Sequence, residues 1–451
     1  MTIAICFGQF GPYHHARVLA VQRLLKKEAV NRKRSVELKC IPVQIAASTT
    51  TYDWKIQASA SESKTEEDIC DGLRTLSEGE LETVSPLKVF LKARYLFRHL
   101  GVKIAFVPSY SPAPNLALFA AAKSLGIRTV MMNDSHAGTE QARGWKKWIK
   151  RQIVKNFDAA LVAGVPQRRH FASLGIPAYK ILTGYDAIDN NFFIACTEKI
   201  NTKALEMGGN IALREAYGLP PRYFLSLGRM VEKKNLPTLL DAYARFCERT
   251  QTDEVSPQDS VALVFVGSGD LKPSLQEQAR TLGLQVIEKQ GSMEIGPQRS
   301  TTTNQPSGVH PSLLGSVFFY GFRQIKENSI FYSLAEAFVL PSLKEEWGLV
   351  VNEAMACSLP VLVSRAAGCV EDLLEGSSLG FEAVQECTNG YVFDPTSVHA
   401  LTRALELSAE SQQRRLKMGK RSREIVENFS CENFALQALR AMDAAELRKK
   451  T

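Results

Sequence analysis

The chain predicts an α/β protein of two doubly wound, Rossmann-like domains facing each other across a cleft. Three observations carry this. Its 451 residues exceed one ordinary core and suggest two domains of about 200 residues each. Both halves alternate short apolar runs with amphipathic stretches, the order that builds a parallel sheet covered by helices on both faces. A polar connection at 190–221, with Gly208 and Gly209, separates the halves. Ligands of such folds bind beyond the carboxyl ends of the strands, so candidate chemistry is sought there.

In the first half, 2–7 reads as a strand, followed by a Gly-containing turn and a helix over 13–26. Strands are predicted at 36–41, 103–107, 128–133 and 159–162, and helices at 87–99 and 113–125. The stretch 46–86 is polar and rich in Ser, Thr and Glu and reads as an excursion from the core. In the second half, strands are predicted at 223–227, 261–266, 317–320, 338–340 and 361–363. Helices are predicted at 236–249, 271–282 and 330–335, with another starting near Gly348. Residues 288–313 read as a surface insertion. The expected division is a first domain over 1–195, a linker over 196–220, a second domain over 221–428, and a C-terminal helix over 429–451 that packs back on the first domain.

Composition narrows the function classes. With 45% hydrophobic and 23% charged residues, the chain is an ordinary globular protein rather than a disordered one. The net charge of +8 suits a phosphorylated ligand or an anionic surface, or simply solubility. No zinc-finger array or RNA-recognition pattern points to nucleic acid. The nine cysteines form no C-x-x-C pair, as expected of reduced thiols in the cytoplasm. The N-terminal apolar run is too short for a secretory signal, and no run approaches the length of a membrane span. The expected location is cytoplasmic, with any contact at the inner face of the membrane peripheral.

Three motifs sit at strand ends in the second half. In LGRMVEKKNL, Gly228 and Arg229 close a strand and Lys234 follows. Arg supplies a planar fork and Lys a point charge, so the pair could clamp a diphosphate or could be a solvated charge cluster. In VFVGSGDL, Gly267 and Gly269 either let a ligand approach the backbone or make a tight turn. In PSLKEEWGLVVNEAMA, a loop carries Glu345 and Trp347, Gly348 and Leu349 open a helix, and Glu353 lies about one and a half turns inside it. Helix-start amides can donate to ligand oxygens, and the two carboxylates can accept from sugar and ribose hydroxyls.

These segments, with VFFYGF and NGYVFDP, follow one another in an order and spacing that resemble the nucleotide-binding domain of retaining glycosyltransferase family four over residues 222–395. The resemblance implies the GT-B fold and transfer from a nucleotide-diphospho-sugar. It implies that Glu345 contacts the donor sugar, that Glu353 holds the ribose, and that Arg229 and Lys234 neutralise the diphosphate. Gly228, Gly267, Gly269, Trp347, Gly348 and Leu349 then line the donor site. Trp347 stands where the family usually has Phe, and Asn235 where a Gly is common. The run after Gly368 is longer than usual before Asn389.

The first half resembles the family less closely. Gly8 and Gly11 occupy the position of a Gly-rich loop facing the diphosphate and acceptor. His14, His15 and Tyr110 are acceptor-side candidates. His136, in NDSHAG, matches a mid-domain histidine near the reacting sugar; a surface-loop histidine is the alternative. No D-x-D in strand context is present, so the expectation is a metal-independent enzyme without a cofactor, its diphosphate stabilised by fixed positive charge. The stretch 143–155 holds two Trp and six cations. It reads either as a membrane-surface segment or as a buried apolar stripe with a solvated basic face. The reading is a retaining glycosyltransferase in polysaccharide or glycoconjugate synthesis, and the alternative is an inactive nucleotide-sugar-binding or scaffold protein of the same fold.

Overall fold

The structure, a computed structural model, describes residues 1–32, 38–49, 72–250, 260–289, 293, 315–377 and 383–447. The chain forms two compact units: Met1–Asp189 with Phe429–Thr451, and Asn190–Asn428.

The first unit begins with β1 (Thr2–Phe7), α1 (Pro12–Arg32), β2 (Lys39–Ser48), β3 (Arg74–Glu80), α2 (Pro86–His99) and β4 (Val102–Pro108). It continues with α3 (Ala113–Ser124), β5 (Arg128–Asn133), α4 (Trp145–Val154), β6 (Ala159–Val162), α5 (Val165–Ser173) and β7 (Ile181–Thr183). All seven strands run parallel in the order β3-β2-β1-β4-β5-β6-β7. Strand side chains alternate between faces, and both faces here are apolar. Ile3, Ile5 and Phe7 enter one core with Val18, Val21 and Leu25 of α1. Ala4 and Cys6 enter the other with Val89 of α2, Leu118 of α3, Val154 of α4 and Phe171 of α5. The order reverses between β1 and β4, which marks a topological switch point.

The second unit begins with α6 (Asn190–Glu206), α7 (Asn210–Ala216), β8 (Tyr223–Leu227), α8 (Leu236–Thr250), β9 (Ala262–Val266), α9 (Lys272–Thr281) and β10 (Gln285–Glu288). Next come β11 (Ser316–Phe319), α10 (Ile325–Leu334), β12 (Ala337–Leu340), α11 (Leu349–Ala356), β13 (Val361–Ser364) and α12 (Val370–Leu373). It closes with β14 (Val384–Cys387), β15 (Gly390–Phe393), α13 (Val398–Ala409) and α14 (Gln412–Val426). The sheet order is β10-β11-β9-β8-β12-β13-β15-β14, parallel except for the β14–β15 pair. Its switch point lies between β8 and β12. The last helix, α15 (Cys431–Glu446), belongs to the first unit. Its Ala435, Ala438, Ala441 and Met442 share a core with Val21 and Leu25 of α1, and small side chains let the two helices approach closely.

Several expectations need correction. The stretch 196–220 is not an extended linker: most of it lies in α6 and α7. Phe193, Thr197, Ile200 and Ala204 are buried on α6, at a spacing that keeps them on one face. Gly208 and Gly209, both at positive φ, make the turn between the two helices. The boundary between the units falls after Asp189 rather than after 195. The stretch 46–86 is not wholly an excursion, because β3 pairs with β2 and buries Leu76. A sheet-edge strand needs little apolar sequence, which hides it. Its residues 51–71 lie outside the described residues, as does most of 288–313. The second strand runs over Lys39–Ser48, later than 36–41. Strands β7, β10, β14 and β15 and helices α13 and α14 were not predicted.

Candidate functional site

In the second unit, the loops after β8 and β12 leave neighbouring strands at the switch point. The β8 loop begins with Gly228 (φ 145°) and exposed Arg229 and ends in a one-turn 3-10 helix, Glu232–Lys234. Asn235 then takes the left-handed conformation at φ 56°, which asparagine tolerates better than most residues. Its Nδ2 donates to Pro341 O (3.2 Å) and Pro395 O (2.8 Å), and Thr238 Oγ1 donates to its Oδ1 (2.8 Å). Here Asn does the conformational work of the common Gly and also ties the loop down.

Two ion pairs join the loops. Lys234 Nζ contacts Glu345 Oε2, and their side chains are only 14% and 9% exposed. Ser342 Oγ donates to the same carboxylate oxygen at 3.0 Å. Lys233 Nζ meets Glu346 Oε2 at 2.9 Å. Burial alone would raise the Glu346 carboxyl, but the hydrogen bond and charge of Lys233 hold it below its ordinary value. Burial likewise opposes the Lys233 ammonium, and Glu346 overcomes it, raising the lysine. Leu343 N donates to Lys233 O at 2.9 Å. A small cavity beside these loops is lined by Gly228, Arg229, Met230, Lys234, Leu340 and Pro341.

The glycines have a backbone reason. A Cβ on Gly267 would lie 1.9 Å from Gly228 O, and one on Gly269 would lie 2.4 Å from Met230 O. Gly228 N donates to Val266 O (2.9 Å) and Met230 N to Ser268 O (2.8 Å). These glycines therefore let the β8 and β9 loops run side by side. Gly348 sits at φ 104° and starts α11. Leu349 follows it half-buried, and Glu353 is buried on α11. Trp347 is 1% exposed, and its Nε1 donates to Asn352 Oδ1 at 2.9 Å. Its side chain is therefore buried rather than lining an open site.

In the first unit, the candidates lie on the loops after β1, β4 and β5 and, for His14 and His15, in the first turn of α1. Gly8 O accepts from Ile45 N and Ala46 N, and a Cβ on Gly8 would meet Leu81 Cδ2 at 2.7 Å. Gly11 N donates to His14 Nδ1 at 3.0 Å. The His14 ring stacks on Phe7, with centroids 4.1 Å apart. Burial, reinforced by Arg17 and His15, pushes His14 down to about 3. His15 lies edge-on to Phe10 at 5.1 Å. His136 caps its own 3-10 turn: Gly138 N donates to its Nδ1 at 3.2 Å, and its N–H donates to Thr139 Oγ1 at 3.1 Å.

Next to that turn is a network that the sequence did not reveal. Glu140 pairs with Lys150 of α4 and lies 3.5 Å from His170 Nε2. Lys150 Nζ is 3.3 Å from His170 Nε2 and sits over the Tyr110 ring at 5.4 Å. Burial, then Lys150, pushes His170 down to about 4, so it faces Lys150 as a neutral acceptor. Burial raises the Tyr110 hydroxyl. In a run of six cations, nothing in the sequence distinguishes the one that turns inward. Among the described residues, no group of three or more His, Cys, Asp or Glu could hold a metal ion.

Two doubly wound, parallel-dominated units in one chain are the architecture of the GT-B fold. Residues 312–425 match the model of the glycosyl transferases group 1 family. The chain is 34% identical over 111 residues to the sulfoquinovosyl transferase SQD2 of Arabidopsis thaliana, covering 25% of this chain and 20% of that protein. It is 28% identical over 138 residues to the alpha-monoglucosyldiacylglycerol synthase of Streptococcus pneumoniae, covering 31% and 23%. The matches thus span less than a quarter of either relative. Across almost the whole chain, the fold is similar to that of Anabaena HepE in complex with UDP (TM-score 0.63, 16% identity, 98% and 100% covered). It is equally similar to sucrose-phosphate synthase from Thermosynechococcus elongatus (TM-score 0.63, 17% identity, 99% and 100% covered).

Proposed function

We propose that this chain is a retaining glycosyltransferase that moves a sugar from a nucleotide-diphospho-sugar to an acceptor hydroxyl, in polysaccharide or glycoconjugate synthesis at the cytoplasmic side of a membrane. The observation that carries this reading is the Lys234–Glu345 pair across the switch point of the second unit, with Arg229 exposed on the same loop. An ammonium has three donors, so the Glu345 contact leaves others for phosphate oxygens. Arg229 adds a planar fork. Together they stabilise the charge that grows on the departing diphosphate, without need of a metal ion. Glu345 contacts the donor sugar and Glu353 the ribose. The bond from the sugar to the diphosphate breaks as the bond to the acceptor oxygen forms on the same face. The acceptor proton passes to a phosphate oxygen of the leaving group. The acceptor side is assigned to the first unit, where Gly8, Gly11, Tyr110 and His136 lie on strand-end loops and His14 and His15 lie in the first turn of α1.

The test is a thermal-shift panel of UDP-, GDP- and ADP-sugars. UDP-glucose comes first because related HepE structures hold UDP and UDP-glucose. One nucleotide series should raise the unfolding temperature. Arg229→Ala, at an exposed position, should lower hydrolysis of that donor about 100-fold. No stabilisation by any series would sink the proposal, whereas stabilisation without turnover would favour the donor-binding scaffold.

A further inference from the structure

Helices α2 and α4 carry apolar side chains on the wrong side. On α2 the buried residues are Val89, Ala93 and Phe97, while Leu87, Leu91 and Tyr95 also recur every four positions. The second set is offset from the first by two residues, about 200° round the helix, and so points straight away from the core. On α4, Lys150 and Val154 are buried, while Trp145, Trp148 and Ile149 cluster on the opposite face. Leu87, Leu91, Tyr95, Trp145 and Trp148 are between 57% and 73% exposed.

The two helices also share a side of the molecule. Val89, Ala93 and Phe97 of α2 and Val154 of α4 enter the same core, against Ala105, Val107, Met131, Ala160 and Val162 of the sheet. Helices packed on one sheet face turn their outer faces the same way. Exposed Lys88, Arg94 and Arg98 surround the α2 stripe, and exposed Lys146, Lys147 and Arg151 surround the α4 cluster. Neither helix contains an Asp or Glu, although the chain has 47 of them.

We infer that α2 and α4 together form a docking surface for an anionic lipid bilayer, with the aromatic and leucine side chains entering the headgroup boundary and the cations meeting lipid phosphates. Tryptophan and tyrosine suit that boundary because their rings are apolar while their N–H and O–H groups remain hydrogen-bonded. Lysine and arginine add attraction to anionic headgroups. A second copy of the chain fits poorly, because it would set like charges face to face. The surface serves the proposed transferase by bringing its acceptor side to a membrane, yet it does not depend on that reading, because docking is measured without any donor.

The experiment is flotation of the full chain with two kinds of vesicle: phosphatidylcholine alone, and an equal mixture of phosphatidylcholine and phosphatidylglycerol. The chain should float with the mixed vesicles, stay behind with phosphatidylcholine alone, and leave the mixed vesicles in high salt. Trp145→Ala/Trp148→Ala and Leu87→Ala/Leu91→Ala/Tyr95→Ala should each weaken vesicle binding about tenfold, with unchanged unfolding temperatures because the residues are exposed. Equal binding to both vesicle types, or to neither, would overturn the inference. So would an α2 variant that floats like wild type, since α2 would then lie outside the footprint. A wild-type chain that binds no vesicle but dissociates from dimer to monomer on Trp148→Ala would assign the surface to a second copy instead.

Discussion

The two units hold their charged groups in different ways. In the second unit, the loops after adjacent strands are joined to each other: Lys234 to Glu345, Lys233 to Glu346, Asn235 to the carbonyls of Pro341 and Pro395. In the first unit, two of the candidate histidines are satisfied by their own turns, while His170 of α5 joins Lys150 and Glu140 away from them. His136 caps the turn it starts, and His14 accepts from Gly11 and stacks on Phe7. The difference teaches where residue identity is constrained. A bond between loops, or a carbonyl against a Cα, permits few residue types. A side chain serving its own turn can be exchanged for several others.

Glycine substitutions break this comparison most sharply. Gly267→Ala should cost about 4 kcal/mol or more, because its Cβ would meet the Gly228 carbonyl at 1.9 Å on a backbone at φ 133°. Urea unfolding, or failure to recover folded protein, measures this; a midpoint near that of wild type would show that the two loops do not run side by side.

Next comes the ion pair. Lys234→Ala should destabilise the protein by about 3 kcal/mol, because the little-exposed Glu345 carboxylate loses its partner. Lys234→Met/Glu345→Gln should recover part of that loss. A double-mutant cycle in urea reads the coupling, and additive costs would mean that the pair does not couple the loops.

A pH series sharpens the first unit's side of the comparison. His14 at about 3 and His170 at about 4 lie below the ordinary histidine value of 6.5. As pH falls, the unfolded chain takes up these protons first, so stability falls with pH below about 6.5. The His170 contribution is fully lost below about 4 and that of His14 below about 3. Between pH 7 and 5 most carboxylates stay ionised in both states, so most of the slope there belongs to histidine. Urea midpoints at pH 7 and 5 should differ, and His170→Gln should flatten the difference.

Gly8→Ala should have the smallest effect, under about 1 kcal/mol, because its Cβ meets only the mobile end of Leu81. The ratio of its cost to that of Gly267→Ala, measured in one urea series, expresses the contrast between the units as a single number.

Five of the second unit's eight strands, and Arg229, Lys234, Glu345 and Glu353, are legible as strings at strand ends, whereas the short strands β10, β14 and β15 are not. What spacing could not reveal was that Lys234 and Glu345 touch, since 111 positions separate them and only the switch point brings their loops together. Gly267 and Gly269 were found, with ligand approach and tight packing left open, and the structure supplies the packing reason. Trp347 was expected at the donor and lies in the core. Helices α6 and α7 were taken for a linker because polar composition obscured the periodic spacing of Phe193, Ile200 and Ala204. Lys150 could not be singled out, because a buried lysine in a basic run looks like its neighbours until Glu140 and His170 are seen around it.

The abutting carbonyls of Gly228 and Met230 also bear on inheritance. The path of the loop that carries Arg229 and Lys234 is set against Gly267 and Gly269, which lie on a different strand's loop. No change at a distant residue makes room for a side chain there; only moving the cation loop would. A lineage that keeps its cations in place must therefore keep these glycines, and the two loops pass between generations as one unit of selection.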